Sequence, residues 1–168
     1  MHIGWIRGLV FILLLLAVIF IWGAIFHHPS SAYFDNSGFA KGQKGDTDGA
    51  LADYNRAIEL NSRDTLAYLN RGVTRDNKGD LDGAIADYSR ALELDPKYPF
   101  ANRFRGVDKG KKGDLDGAIA DFNRAIELNP KDAIAYLNRS IARAKKGDQP
   151  GAAADLAAAR QLDPGIGK

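Results

Sequence analysis

Gly79-Asp80-Leu81-Asp82-Gly83-Ala84 decides the fold, because the chain repeats it. Gly45-Asp46-Thr47-Asp48-Gly49-Ala50 precedes it, and Gly113-Asp114-Leu115-Asp116-Gly117-Ala118 follows it. A weaker copy stands at Gly147-Asp148-Gln149-Pro150-Gly151-Ala152. The offset is 34 residues each time, and residues 65–98 agree with 99–132 at 20 of 34 positions. A fixed period of this length signals a solenoid, in which each unit buries its apolar face only against its neighbours.

Each unit predicts two helices. In the second copy, apolar and small residues recur through 66–77 before Gly79-Asp80 interrupts them. Glycine supplies the left-handed conformation that stops a helix. Asp82 is the expected N-cap of the next helix, its carboxylate accepting from free N–H groups. Ala84, Ile85, Tyr88, Ala91, Leu92 and Leu94 then follow helical spacing until Pro96 prevents continuation. Pro130 and Pro164 close the third and fourth copies, while the first has Ser62.

These residues closely resemble the tetratricopeptide repeat. Its pattern has a small residue at position 8, glycine at 15, alanine at 20, an aromatic at 24, alanine at 27 and proline at 32. The second copy supplies Gly72, Gly79, Ala84, Tyr88, Ala91 and Pro96, and the third Gly106, Gly113, Ala118, Phe122, Ala125 and Pro130. The first supplies Gly38, Gly45, Ala50, Tyr54 and Ala57, and the fourth Ser140, Gly147, Ala152, Leu156, Ala159 and Pro164. The resemblance implies an all-α, right-handed α-solenoid of four antiparallel helix pairs, at 31–64, 65–98, 99–132 and 133–168. The family's leucine at position 7 is replaced by Ser37, Arg71, Arg105 and Arg139, and its tyrosine at position 11 by Lys41, Arg75, Lys109 and Arg143. Asn102 stands where a bulky residue is usual. Each position-7 arginine lies 16 residues before an aspartate, in the pairs Arg71 and Asp87, Arg105 and Asp121, and Arg139 and Asp155. Ion pairs joining the two helices of each repeat are expected there. In the last copy Ala153, Leu156 and Arg160 thin the outward apolar face, so this repeat is expected to cap the array and end it.

Ahead of the repeats, residues 1–29 form a separate N-terminal part. Leu9–Phe26 is an uncharged, almost wholly apolar run, long enough at roughly 1.5 Å per helical residue to cross a bilayer. Trp5 and Trp22 lie near its ends, where indoles favour the headgroup layer. The main reading is one transmembrane anchor preceding the array. A cleaved signal peptide and a buried soluble helix are the alternatives. Arg7 precedes the run and no further Lys or Arg occurs before Lys41. The positive-inside bias therefore predicts a single-pass bacterial inner-membrane protein, its N-terminus cytoplasmic and its repeats periplasmic. With cleavage the chain would be periplasmic or secreted.

Beyond residue 30 there are 22 Lys or Arg against 21 Asp or Glu, which argues against nucleic acid as a partner. Without cysteine there is no disulfide, thiolate chemistry or Cys-ligated zinc. The histidines, His2, His27 and His28, all flank the apolar run and pair with no nucleophile or ligand set. Gly-Asp-x-Asp-Gly lacks the remaining ligands of a calcium loop. Lys109-Gly110-Lys111-Lys112-Gly113 lacks the ending of a phosphate loop and reads as a solvated helix end. No cofactor, metal or catalytic residue is expected, and the chain reads as a binding scaffold and not an enzyme.

The resemblance implies that first helices line a groove, with ligands met at repeat positions 2, 5, 6, 9, 12 and 13. The groove residues expected are Asn36 and Phe39 from the first copy, and Leu66, Leu69, Asn70 and Val73 from the second. Phe100, Arg103, Phe104, Val107 and Lys111 come from the third copy, and Asn138 and Ile141 from the fourth. Gly42, Gly110 and Lys145 occupy further positions of that set. Asn36, Asn70 and Asn138 form either a ladder for a peptide backbone or local backbone ties. The apolar stripe either binds a partner or packs between helices. The family's carboxylate clamp is not implied, because Asp35, Phe39, Phe100 and Phe104 replace its basic and amide residues. A peptide or helix of a partner protein is the expected ligand, with self-assembly into a homo-oligomer as the alternative.

Overall fold

The computed structural model describes residues 29–166. They form α1 (Ser31–Gln43), α2 (Thr47–Leu60), α3 (Thr65–Asn77), α4 (Leu81–Leu94), α5 (Pro99–Lys111), α6 (Leu115–Leu128), α7 (Ala133–Lys146) and α8 (Gln149–Leu162). Among the described residues there is no strand, and no helix is long and apolar enough to cross a membrane. The expected anchor at 9–26 lies outside the described residues.

The recurrent hexapeptide is the turn inside each pair. Gly45, Gly79, Gly113 and Gly147 all take positive φ, +83° at Gly79. There the N–H of Gly79 donates to the Asp76 carbonyl and the N–H of Asp80 to the Arg75 carbonyl, satisfying the last carbonyls of α3. The cap of the following helix is Asp80 and not Asp82. The Asp80 carboxylate accepts from the Gly83 N–H at 2.9 Å, and Asp46, Asp114 and Asp148 repeat this with Gly49, Gly117 and Gly151. Asp82 already lies in the first helical turn, where its charge favours the helix dipole. Its side chain meets Lys112 of the next repeat, as Asp48 meets Lys78 and Asp116 meets Lys146.

The two helices of a repeat pack through position 8. A Cβ built on Gly72 would lie 2.6 Å from the Tyr88 ring, so the ring seats directly on the α3 backbone. Gly38 with Tyr54 and Gly106 with Phe122 reproduce this fit. Ala50, Ala57, Ala84, Ala91, Ala118 and Ala125 are fully buried around these rings. Burial of a large side chain is worth about 1.5–3 kcal/mol, so the rings dominate each local core.

Helices of one pair contact each other, and each second helix contacts the next first helix. First helices also touch their counterparts, α1 with α3, α3 with α5 and α5 with α7, whereas no second helix reaches another among the described residues. First helices therefore form the inner face and second helices the outer one.

The expected Arg–Asp pairs form. Arg71 meets Asp87 through two bonds, Nε to Oδ2 at 2.9 Å and Nη2 to Oδ1 at 2.6 Å, and Arg105–Asp121 and Arg139–Asp155 match it. Position 11 joins the same carboxylates: Arg75 on Asp87, Lys109 on Asp121 and Arg143 on Asp155. The arginine Nη1 donates across repeats, from Arg71 to Asn55, Arg105 to Ser89 and Arg139 to Asn123. One guanidinium thus ties three helices, its planar fork meeting the carboxylate through two parallel bonds while a third donor reaches the preceding repeat. In the first repeat Ser37 takes the arginine's place, and Lys41, at position 11, is the cation on Asp53. Burial raises the pKa of Asp53, but those two partners outweigh it and hold the carboxyl below its ordinary range.

At the far end, Arg160 is exposed and its Nε donates to the Ile166 carbonyl at 3.4 Å. Ile166 is itself buried, so a short turn after α8 folds inward beyond the last helix.

Candidate functional site

The inner face is built from three junctions between successive first helices. Three of the repeat positions at which they differ matter most here: 12 of the leading helix, and 6 and 10 of the following one.

Between α1 and α3 those positions are Gly42, Asn70 and Thr74. They line a cavity of about 280 Å³ with Phe39, Gln43, Thr47, Tyr54, Val73 and Asn77. Its lining carries hydroxyls and amides but no charge. Asn70 is half-buried, and its amide donates to the Asp35 carboxylate of the preceding repeat at 3.0 Å. Burial raises the Asp35 carboxyl despite that bond, with Asp64 adding to the effect.

Between α5 and α7 the positions are Gly110, Asn138 and Ala142. They line a cavity of about 140 Å³ with Gly106, Val107, Leu115, Phe122, Ile141, Lys111 and Lys145. Space of this size matches a single apolar group: an engineered cavity of about 150 Å³ in another protein admits benzene.

Between α3 and α5 the positions are Asp76, Phe104 and Asp108, and the space is occupied. The Phe104 ring lies 5.8 Å from that of Tyr88. Asp108 is 1% exposed. Lys111 donates to the Asp76 carboxylate and, at 2.9 Å, to Asp108 Oδ1, while Asp108 Oδ2 is buried with no hydrogen-bond partner. Burial pushes the Asp108 carboxyl up, Lys111 pulls it down, and the Asp76 charge pushes it up again, leaving it raised. Partial burial lowers the Lys111 ammonium, but its two carboxylates more than offset this and raise it.

The expected groove residues divide accordingly. Phe39, Leu66, Phe100 and Ile141 are about half exposed, and Asn36 and Lys111 are exposed. Val73, Val107 and Asn138 are half-buried and line the cavities. Leu69 is a correction. It is 7% exposed and belongs to the core with Tyr88 and Ala101, against which Phe104 packs, so it offers no ligand surface. Arg103 is also engaged. Its guanidinium lies over the rings of Phe100 and Phe104, at 5.5 and 5.2 Å, and its Nε stands 3.1 Å from Asp132 in an ion pair too bent for a hydrogen bond.

The asparagines differ in their surroundings. Asn36 is exposed, Asn70 serves Asp35, Asn138 lines a cavity, and Phe104 interrupts them. The lysine-rich end of α5 is not a plain solvated end either. Lys109 pairs with Asp121, Lys111 with Asp76 and Asp108, and Lys112 with Asp82. Among the described residues no cluster of His, Cys, Asp or Glu could hold a metal ion.

Two tetratricopeptide-repeat family models match the chain, one over residues 40–99 and one over 111–147, together more than half of its length. The chain is a tetratricopeptide-repeat protein. No curated protein sequence matches it. Among solved structures, that of MamA superposes with a TM-score of 0.77 at 21% identity, covering 80% of this chain and 78% of MamA. The first tetratricopeptide-repeat domain of Spaghetti (RPAP3), bound to an HSP90 peptide, gives 0.69 at 19% identity, covering 70% and 94%. The Arabidopsis OM64 tetratricopeptide-repeat domain gives 0.67 at 25%, covering 69% and 96%. These likenesses concern the fold.

Proposed function

We propose that this tetratricopeptide-repeat protein is a docking scaffold that holds a peptide or helix of a partner protein on its inner face, contributing proximity and not chemistry. The observation that carries this reading is the pair of open cavities on that face, flanked by the exposed side chains of Phe39 and Ile141. Concave sites of this kind, mostly apolar with a few placed polar groups, are where proteins hold ligands. The Spaghetti domain, of the same fold, carries a bound peptide. We further propose that residues 9–26 anchor the chain in a bacterial inner membrane and hold the array on the periplasmic side, as their apolar length and the position of Arg7 suggest.

A photoreactive p-benzoylphenylalanine placed at Phe39 or Ile141 of the full-length chain in cells should cross-link a partner. The same probe at Ala86 or Ala120, exposed on second helices, should not. Equal adducts from both faces would overturn the inner-face reading. Adducts between two copies of the chain would replace the foreign partner with self-assembly. Alkaline phosphatase fused after Lys168 should be active. An inactive fusion, with activity instead from a cytoplasmic reporter at the same place, would overturn the periplasmic placement.

A further inference from the structure

We propose that the α5/α7 cavity is a specificity pocket, taking one Leu- or Phe-sized side chain of a partner segment with an Asp or Glu beside it in sequence. This rests on the docking reading and adds what that surface selects.

Three observations converge on the pocket. Its floor and walls are apolar, from Val107, Leu115, Phe122, Ile141 and Ala142, and its volume of about 140 Å³ suits one large apolar group. No carboxylate lines it, whereas two lysines do. Of these, Lys111 already serves Asp76 and Asp108. Lys145 is exposed, and its ammonium makes no ion pair or hydrogen bond among the described residues. The contrast with its neighbours is sharp. Lys41, Lys109 and Lys111 each have a carboxylate on the array, and Lys78, Lys112 and Lys146 have one in the preceding repeat. An unanswered ammonium at the mouth of an apolar pocket complements a carboxylate next to a buried apolar side chain. The α1/α3 cavity has no charged lining residue and would not make this selection.

Gly110 is what keeps the pocket open. A Cβ there would meet only the Ala118 Cβ, at 3.7 Å, an ordinary contact. Gly110→Ala therefore fits the fold, and within a helix alanine is favoured over glycine. The same Cβ takes space from the pocket. Stability and binding should move in opposite directions.

The test is selection of random nonapeptides, displayed internally between flexible flanks, on the full-length chain in lipid nanodiscs. The expected consensus is Leu, Ile, Met or Phe with Asp or Glu one or two residues away. A selected peptide should lose tenfold or more in affinity on Gly110→Leu, the loss expected for leaving one large side chain unburied. It should lose about two- to fivefold on Lys145→Glu, the range of a single exposed charge pair, and recover when its acid is changed to Lys. Gly110→Ala should weaken binding while the thermal midpoint holds or rises. Gly42→Leu, in the other cavity, should leave the acidic preference intact. Selected peptides without this consensus, or with a preference unmoved by Lys145→Glu, would overturn the inference and leave docking standing. If no peptide is enriched over blank nanodiscs, docking of linear segments fails and the inference fails with it.

Discussion

The junction between α3 and α5 and the two junctions flanking it use the same repeat positions for opposite ends. At the flanks, positions 12, 6 and 10 are Gly42, Asn70 and Thr74, or Gly110, Asn138 and Ala142, and a cavity lies among them. At the centre they are Asp76, Phe104 and Asp108, and a ring and a shared ammonium occupy the space. The backbone grammar, with its glycine turn, aspartate cap and aromatic seated on a small residue, continues through all three junctions. The filled centre and the open flanks therefore differ in the side chains at these three positions. Such a division suits a solenoid, where stability comes from neighbour contacts and a seam can be rigid in one place and open in another.

The largest effect expected lies in what the junctions share. Asp121→Ala leaves Arg105 and Lys109, both about one-fifth exposed, without their carboxylate. Removing one member of a fully buried pair costs 3–5 kcal/mol, and the partial exposure of the cations reduces this to about 2–3 kcal/mol. Urea unfolding should give a similar loss for Asp87→Ala. A loss below about 0.5 kcal/mol for both would show that the charged lattice sets helix register without holding the array together.

Next in size is the exchange of the central plug for a flanking residue. Phe104→Asn should cost about 2 kcal/mol, less than the 3–5 kcal/mol of truncating a fully buried phenylalanine because this ring is only half-buried. It should also give the centre a cavity. The reverse change, Asn138→Phe, should fill the α5/α7 pocket and abolish selection of apolar residues there without unfolding the chain. If Phe104→Asn proves neutral, the ring is surface decoration and the contrast between junctions collapses.

Much of this was legible in the residues. The period of 34 announced the helix pairs, and the 16-residue interval from Arg71 to Asp87 announced their ion pair. The cap was misplaced because Asp80 and Asp82 both stand at helix-start spacing. Only the backbone shows that Gly83 N–H faces the first, while the second turns towards Lys112. Leu69 was misread because a ligand-facing position becomes core when the neighbouring repeat brings Ala101 and Phe104 over it. Asp108 was missed for a related reason. Position 10 is not a family ligand position, and the meeting of Asp108 with Asp76 depends on residues of two different repeats. The free ammonium of Lys145 could not be read at all, since seven other lysines of first helices or the turns after them look alike in sequence, and of these all but Lys44 find carboxylates only in three dimensions.

A subtler effect separates the centre from the flanks by pH. Asp108 has a raised pKa in the folded chain, with burial the main cause. An unfolded aspartate titrates near 3.9, so between that value and the raised folded one the folded state holds a proton that the unfolded state has released. This contribution to stability is full below the unfolded pKa and is lost as pH rises through the folded one. Asp108→Asn removes it. The stability of the parent chain minus that of Asp108→Asn should therefore fall as pH rises above about 4 and level off once the folded carboxyl has ionised. A difference that rises over that interval would mean that Lys111 outweighs burial and that the central pair is a net stabilising ion pair.

The smallest effect comes from the glycine that holds a flank open. Gly42 lies near the end of α1, and a Cβ there would meet only the Ala50 Cβ, at 3.9 Å. Gly42→Ala should therefore raise stability by about 0.5 kcal/mol, the lower end of the helical preference for alanine, because the site is in the last turn. A chain selected for stability alone would carry alanine at such a position. Proteins commonly accept a small destabilisation where function needs the space. The comparison that bears on this is the double variant Gly42→Ala with Gly110→Ala. The two glycines are separated by two repeats and share no contact, so their gains in urea midpoint should add. If the double variant gains stability and still binds its peptide as the parent does, these glycines are incidental and the flanking cavities are packing defects. If stability rises while binding falls, the open junctions are kept open for a ligand.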